Sequence, residues 1–340
     1  MNDRPSMKDV AQRAGVSTKT VSNVVRGWPH VSPETRSKVQ EALEDLGYRM
    51  NLSARTLRSG RSGILALALP WLNSPYFAEL TSTVVRVAEE HSWTVLVDQT
   101  GGVLEHELAV VAGIRGQLID GLIFSPHALG AAELVQLSPP CPMVLLGEKV
   151  GPGVHDHVAI DNVAAARDVV VHLASLGRTR IAAIGLPPQN GVENAPASLR
   201  HRGYELGLAA AGKVPDPSLQ MSVDVFDRVQ GARAMDRLLD LADAPDAVFC
   251  FSDLLALGAM HAIHQRGHRI PQDVAVAGFD DIEDGRFSYP TLTTISPDKE
   301  QIARIAVERL LSHINSGDTP LGPQNFTPPY RLIVRDSTTG

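Results

Sequence analysis

The amino-acid sequence predicts an α/β protein in which a three-helix helix-turn-helix head and a hinge helix precede a two-lobe core of doubly wound parallel sheets. Three short amphipathic helices in residues 6–47 indicate the head. After Gly63, short apolar runs alternate with helix-length segments, and a second such series follows the first, which indicates two lobes. We therefore expect a head at 1–50, a hinge helix and linker at 51–63, and a core at 64–340.

The charge of the chain is unevenly distributed. Residues 1–63 hold eleven Lys and Arg against six Asp and Glu, whereas the rest of the chain holds 20 against 32. A basic head favours a polyanionic partner, although an ordinary solvated surface can carry the same charge. The acidic remainder indicates that the core binds something else.

Local signals place the three helices of the head. Ser6 is predicted to cap the first helix in a capping box with Asp9, and Gly15 to end it. Ser17 caps the second helix, and Ser32, in "SPET", caps the third.

The second helix has one apolar and one polar side. At 3.6 residues per turn, its valines share one side, and the opposite side carries Thr18, Lys19, Ser22 and Asn23. Hydrogen-bonding side chains on the second helix of this motif suit the major groove of DNA. A small helical bundle with a polar exterior is the alternative.

The segment "NLSARTLRSGRSG" follows the head. It predicts a short helix in which Leu57 has no core of its own and is surrounded by Arg55, Arg58 and Arg61. An apolar wedge framed by arginines suits insertion into the minor groove. A linker helix with one exposed leucine is the alternative.

The stretch from "KDVAQRAGVSTKTVSNVVRG" through "VSPETRSKVQEALEDLGYRMNLSARTLRSGRSG" resembles the head and hinge of the LacI/GalR family of bacterial transcriptional regulators. The resemblance implies that Thr18, Lys19 and Asn23 read bases, and that Ser17, Thr20 and Ser22 contact phosphates or bases. It also implies that the hinge inserts Leu57, with Ala54 beside it and Arg55 in the groove. Asn23 stands where many members have Arg, and Met50 where a proline is frequent.

The core is predicted to hold two sheets. The runs "GILALAL", "TVLVDQ", "DGLIFS", "MVLLG" and "VAID" are typical of buried parallel strands, and "RIAAIGL", "QMSVDVF", "AVFCFSD" and "VAVAGFDD" form a second series. We expect "LTTI" to cross back into the first lobe and "YRLIVRDS" to return to the second. Lobe 1 is then about 64–161 and 292–326, and lobe 2 about 162–291 and 327–340. The family resemblance likewise implies a periplasmic-binding-protein-like core with three crossovers.

Ligands in such sheets bind beyond the carboxyl ends of the strands. Polar residues occur at these ends, together with Arg200 at the start of a helix and three aromatic residues. An arginine, carboxylates and aromatic faces suit a small polyhydroxylated or polar ring ligand. The candidates are Gln99, Ser125, Asp161, Asn162, Asp253 and Asp280, with Tyr76, Phe77 and Phe226 as aromatic walls. For the pair at 161–162, capping of the next helix is the favoured alternative.

The family resemblance implies an effector pocket at most of these positions. The chain departs from the family at Ser252, where the family usually has Asn, and at Gly147, where sugar-binding members often have a carboxylate. Glu148 is the candidate substitute for that carboxylate. The matching positions are Tyr76, Phe77, Ser125, Arg200, Phe226, Asp253 and Asp280.

Other function classes lack their signals. The sequence has no GxGxxG after a strand and no GxxxxGK[ST], GxSxG or HExxH, so we expect neither an enzyme nor a cofactor. His155 and His157, and His261 and His264, are expected to be structural or solvated and not metal ligands. Cys141 and Cys250 are expected to be buried and reduced. A transported-sugar receptor would fit the core, but the absence of a signal peptide and the attached head favour a cytoplasmic protein that contacts no membrane.

These observations predict a two-state switch. A homodimer would present two heads to a pseudo-palindromic operator, and a small molecule, expected to be a sugar, would close the cleft and alter the spacing of the hinges. No heptad extension follows the core, so no tetramer is expected. The sequence leaves open whether the effector induces or corepresses, whether the regulator activates, and whether the chain is only a cytoplasmic small-molecule binding protein.

Overall fold

A computed structural model describes residues 5–25, 28, 30–48, 61–113, 118–137, 139–147, 153, 155–187, 196–317 and 321–339. The chain divides into two compact units, Met1–Ser62 and Gly63–Gly340. Its cysteines form no disulfide: Cys250 is buried and Cys141 half-buried. No helix among the described residues is both long and apolar enough to span a membrane.

The described part of the first unit forms the helices α1 (Met7–Ala14), α2 (Thr18–Val25) and α3 (Pro33–Asp45). The predicted caps are confirmed. Ser6 and Asp9 form the capping box, Gly15 ends α1 with a φ of 67°, and the Ser17 and Ser32 hydroxyls accept backbone N–H groups in the first turns of α2 and α3. A small core between the helices contains Val10, Ala11, Val21, Val24, Val39 and Ala42.

The second unit begins with a six-stranded sheet whose strand order is β11-β5-β4-β3-β1-β2, with all neighbours parallel. Near-continuous apolar strands are buried because helices cover the sheet. The strands are β1 (Ile64–Leu69), β2 (Thr94–Gln99), β3 (Gly121–Phe124), β4 (Met143–Leu146), β5 (Asp156–Val158) and β11 (Asn325–Phe326). Its helices are α4 (Pro75–Glu90), α5 (Leu104–Val111), α6 (Ala131–Gln136) and α12 (Lys299–Ser316).

The second sheet also has six strands, in the order β12-β10-β9-β8-β6-β7, and only β12 runs antiparallel to its neighbour. Two helix pairs, α7 with α8 and α9 with α10, pack beside it. The strands are β6 (Ile181–Leu186), β7 (Gln220–Ser222), β8 (Ala247–Cys250), β9 (Ala275–Phe279), β10 (Thr293–Pro297) and β12 (Tyr330–Ile333). The helices are α7 (Asn162–Ser175), α8 (Pro196–Ala210), α9 (Arg228–Leu239), α10 (Asp253–Gln265), α11 (Glu283–Phe287) and α13 (Asp336–Thr339).

The expected return of "LTTI" to the first lobe is wrong. Strand β10 pairs in parallel with β9, so it belongs to the second sheet. The side chains of Thr293 and Thr294 fix it there by donating hydrogen bonds to the Arg335 carbonyl and to Asp253. The chain crosses only after β10, where α12 packs on β3, β4 and β5. The return through β12 to the second sheet is confirmed.

Candidate functional site

The outward face of α2 is smaller than the sequence predicts. Thr18 and Lys19 are exposed, and Asn23 and Thr20 are half-buried. Ser22 is only 7 % exposed, so its prediction as an outward residue is wrong. At 3.6 residues per turn Ser22 lies at the edge of the apolar side, beside Val25. The hinge positions Met50, Ala54, Arg55, Leu57 and Arg58 lie outside the described residues.

Basic side chains elsewhere in the head serve the fold. The Arg13 guanidinium forms an ion pair with Asp45 at 2.6 Å, which joins α1 to α3. Lys38 pairs with Glu34 within α3 at 2.8 Å. The first pair connects two helices, and the second lies within one helix.

Each sheet of the core has a point at which its strand order reverses. From β1 the chain adds β2 on one side and then β3 on the other, and from β6 it adds β7 and then β8 in the same way. Open α/β sheets bind ligands in the crevice outside the carboxyl ends of the strands at such a point. Ser125 follows β3, and Tyr76 and Phe77 lie in the first turn of α4 after β1.

Arg200 lies at the corresponding point of the second sheet. Its buried guanidinium donates from Nε to Asn162 Oδ1 at 2.8 Å and from Nη1 to the Phe251 carbonyl, and Nη2 lies 3.7 Å from Asp280 Oδ1. Its Cζ also lies 3.6 Å from the centre of the Phe279 ring. Two of the N–H donors therefore have acceptors among the described residues, at Asn162 and Phe251, while the ion pair with Asp280 orients the planar group.

The close packing of α7 and α8 fixes Arg200. A Cβ at Gly203 would overlap the Val163 carbonyl, so glycine allows α8 to approach α7. Asp161 caps α7 by accepting the Ala164 N–H at 2.9 Å, while Asn162 holds the arginine. The favoured capping role is confirmed for Asp161, and no sequence pattern pointed to the Asn162–Arg200 contact.

The turn after β9 is strained. Asp280 and Asp281 have φ angles of 114° and 46°, which side-chain-bearing residues rarely adopt. Burial opposes ionisation of Asp281, yet hydrogen bonds and charges from Arg335 and Arg286 hold its pKa below the ordinary range. This anchoring places the Asp280 carboxylate beside Arg200.

The prediction that Asp253 faces the cleft is wrong. The side chain is fully buried, and its carboxylate accepts the Thr294 hydroxyl at 2.6 Å and the Ile282 N–H at 2.9 Å. Burial, together with the nearby Asp280 charge, raises the pKa of Asp253 well above its ordinary value. Asp253 therefore connects the strained turn to β10 through these two hydrogen bonds. Ser252 caps α10.

The remaining predicted residues have different surroundings. Tyr76 and Phe77 meet edge to face, and both pack with Phe226 on a hydrophobic core cluster to which the two sheets contribute. Ser125 is buried, and Gln99 accepts the Leu72 N–H at 3.0 Å.

In the described part of the chain, no three His, Cys, Asp or Glu side chains could hold a metal ion. His157 contacts the Gly147 carbonyl, and His261 and His264 are exposed.

Comparisons with known proteins agree with this architecture. Residues 6–51 match the family model described as bacterial regulatory proteins of the lacI family, and residues 170–338 match a periplasmic binding protein-like domain. The HTH-type transcriptional repressor CytR of Escherichia coli strain K12 is 32 % identical over 340 residues, which is 98 % of this chain and 96 % of CytR. The chain belongs to the LacI family.

Two solved structures of LacI-family regulators extend the comparison. The Lac repressor dimer bound to operator and the anti-inducer ONPF is 28 % identical, with a TM-score of 0.81 over 99 % of this chain and all of that one. The complex of the regulator CelR with cellobiose is 30 % identical, with a TM-score of 0.71 over 98 % and 100 % of the two chains. This LacI-family protein is accordingly a transcriptional regulator and not an enzyme.

Proposed function

We propose that this protein is a repressor that binds a pseudo-palindromic operator as a homodimer and releases it when a sugar occupies the cleft between the two lobes. The observation that carries the proposal is the buried Arg200, held by Asn162, Phe251 and Asp280 at the reversal point of the second sheet. Adjacent hydroxyl groups of a sugar suit the planar guanidinium with its several donors, and the CelR relative binds cellobiose. Because operator DNA lies in the bacterial cytoplasm, we place the protein there.

DNA binding is proposed for the outward face of α2, with Ser17, Thr18, Lys19, Thr20 and Asn23 as its contacts. The α1–α2 arrangement and the operator complex of the Lac repressor relative support this. Ala54, Arg55, Leu57 and Arg58 are proposed as hinge contacts from the sequence alone.

Lys19→Ala is expected to weaken binding to DNA selected from a random pool by roughly 5- to 100-fold, because it removes a charged contact made in the groove. Fluorescence anisotropy at several salt concentrations measures the loss. Lys38→Ala is the matched control, since Lys38 lies on α3 and not on α2, and pairs with Glu34 of the same helix. Equal losses in the two variants would place the DNA surface elsewhere.

Dimerisation is proposed through the second lobe. Phe287, the last residue of α11, is 81 % exposed, and Tyr289, in the short segment that follows it, is 92 % exposed. Exposed aromatic residues of this size mark association surfaces, and a two-fold interface uses the same patch on both copies.

The double variant Phe287→Ser and Tyr289→Ser is expected to shift the protein from dimer to monomer in sedimentation equilibrium and to weaken operator binding more than tenfold. Val214→Ser provides the control, because Val214 is 87 % exposed and lies outside this segment. A variant that stays dimeric would show that the subunits meet through another surface.

Coupling between cleft and DNA is proposed to act through polar contacts that join the lobes. Glu79 on α4 accepts the Glu283 N–H at 3.0 Å, and Lys299, which forms an ion pair with Glu79 at 2.6 Å, donates to the Asp281 carbonyl at 3.1 Å. Closure around a ligand would rearrange these contacts, with a coupling free energy of about 1–3 kcal/mol. Operator titrations with and without sugar give its sign: weaker binding identifies an inducer, and tighter binding a corepressor.

A further inference from the structure

We propose that Trp71 is the platform for the outer ring of a saccharide of two or more pyranose rings, and that it makes the cleft selective for oligosaccharides over monosaccharides. This inference rests on the proposed sugar-binding function. Trp71 follows β1 in the loop "PWLNSPY" and is 37 % exposed, as is Leu72 beside it. In the sequence, Trp71 precedes the aromatic pair Tyr76 and Phe77 in the same stretch.

The position of Trp71 in the fold favours a contact with a ligand. Trp71 comes from the loop after β1, and its ring partner His127 from the loop after β3. Since β1 and β3 flank the strand-order reversal of the first sheet, this ring pair stands at the crevice where such sheets bind ligands. Arg200 occupies the equivalent point of the second sheet.

The surrounding loops hold the indole in place. The Trp71 and His127 ring centres lie 4.5 Å apart at an angle of 66°. A Cβ at Gly102 would lie 2.8 Å from His127 Cδ2 and 3.2 Å from Trp71 Cζ2, so glycine provides the space for both rings. The loop after β1 is also joined to the loop after β2, because Pro70 O accepts the Gly101 N–H at 2.9 Å.

A buried carboxylate fixes the other side of the ring pair. Glu107 is fully buried and accepts the backbone N–H groups of His127, Ala128 and Leu129 at 2.8, 2.9 and 2.7 Å. An aromatic surface that is held rigid before binding loses little conformational entropy when a ligand arrives.

The chemistry of this aromatic surface indicates a sugar ring as its ligand. The C–H faces of a pyranose carry partial positive charge and are attracted to the negative face of an aromatic ring. The exposed Gln99, whose side chain accepts the Leu72 N–H, adds a polar group at the same edge. Arg200 would hold the inner ring by its hydroxyls, and Trp71 would contact the next ring.

The test is calorimetric titration of the full-length protein with cellobiose, maltose, lactose and xylobiose, and with the monosaccharides that compose them. The wild type is expected to bind at least one disaccharide about tenfold more tightly than its monosaccharides. Trp71→Ala should remove that preference and leave monosaccharide affinity unchanged, and Trp71→Phe should keep part of it. Trp28→Ala, which removes an exposed tryptophan from the head, is the control.

Two other outcomes are distinct. In the first, sugars bind while Trp71→Ala leaves the disaccharide preference intact or lowers the affinity for disaccharides and monosaccharides equally. In that case Trp71 is not the platform, and the sugar-binding proposal stands. If no saccharide of either length binds the wild type, both proposals fail. Melting temperatures of all variants report whether the loop remains folded.

Discussion

Arg200→Ala is expected to weaken sugar binding by roughly 30-fold to several thousand-fold, because removing one partner of a buried, hydrogen-bonded charge pair costs about 2–5 kcal/mol. The loss leaves Asn162 and Asp280 without their guanidinium contact inside the site. Titration calorimetry with the sugar identified for the wild type measures the effect. Operator affinity in the absence of sugar should stay unchanged, since Arg200 belongs to the core unit.

Arg202→Ala is the matched control for this experiment, because Arg202 is an exposed arginine on the same helix. It should bind sugar as the wild type does. A response to sugar that survives in Arg200→Ala would mean that the ligand binds elsewhere in the core.

Asp253→Ala is expected to lower the free energy of unfolding by about 2–5 kcal/mol, because it takes the acceptor from the buried Ile282 N–H and removes the hydrogen bond between the Thr294 hydroxyl and the carboxylate. Asp253→Asn keeps an acceptor and removes a buried charge, so it should be far less destabilising. Urea unfolding of the two variants at neutral pH measures the difference.

The pH dependence of stability provides a second readout for Asp253. The folded-state pKa is raised above 3.8, so the native state binds this proton more tightly than the unfolded chain. The stabilisation is complete below the unfolded pKa and is lost as pH rises through the folded pKa. Above about pH 4 the wild type should therefore lose stability relative to Asp253→Asn. Parallel pH profiles would show that the carboxyl is not perturbed, and Asp240→Asn, at an exposed ion pair, is the control.

Local signals were sufficient for the head. The capping box at Ser6 and the left-handed Gly15 depend on residues three or four positions apart, which the sequence displays directly. Ser22 was misplaced because it lies at the flank of the apolar side, where the helical period alone does not decide between core and solvent.

Non-local contacts limited the prediction of the core. The partner of β10 is set by strand pairing between distant parts of the chain. The sequence of an apolar run does not show which strand will pair with it. At the ends of β8 and β9 the sequence offered Asp253 and Asp280 as equivalent carboxylates, but only the strained backbone turns Asp280 toward Arg200 while Asp253 is enclosed. Ring contacts between separate loops, such as Trp71 with His127, are equally invisible before folding.

The place of α12 in the chain has a consequence for synthesis. This helix packs on β3, β4 and β5, yet it is encoded about 150 residues after them. At a translation rate of about 5–20 residues per second, roughly 10 to 30 seconds separate the emergence of those strands from that of the helix that covers them. Through this interval the nascent chain exposes an apolar sheet face, and ribosome-associated chaperones are the factors that would shield it.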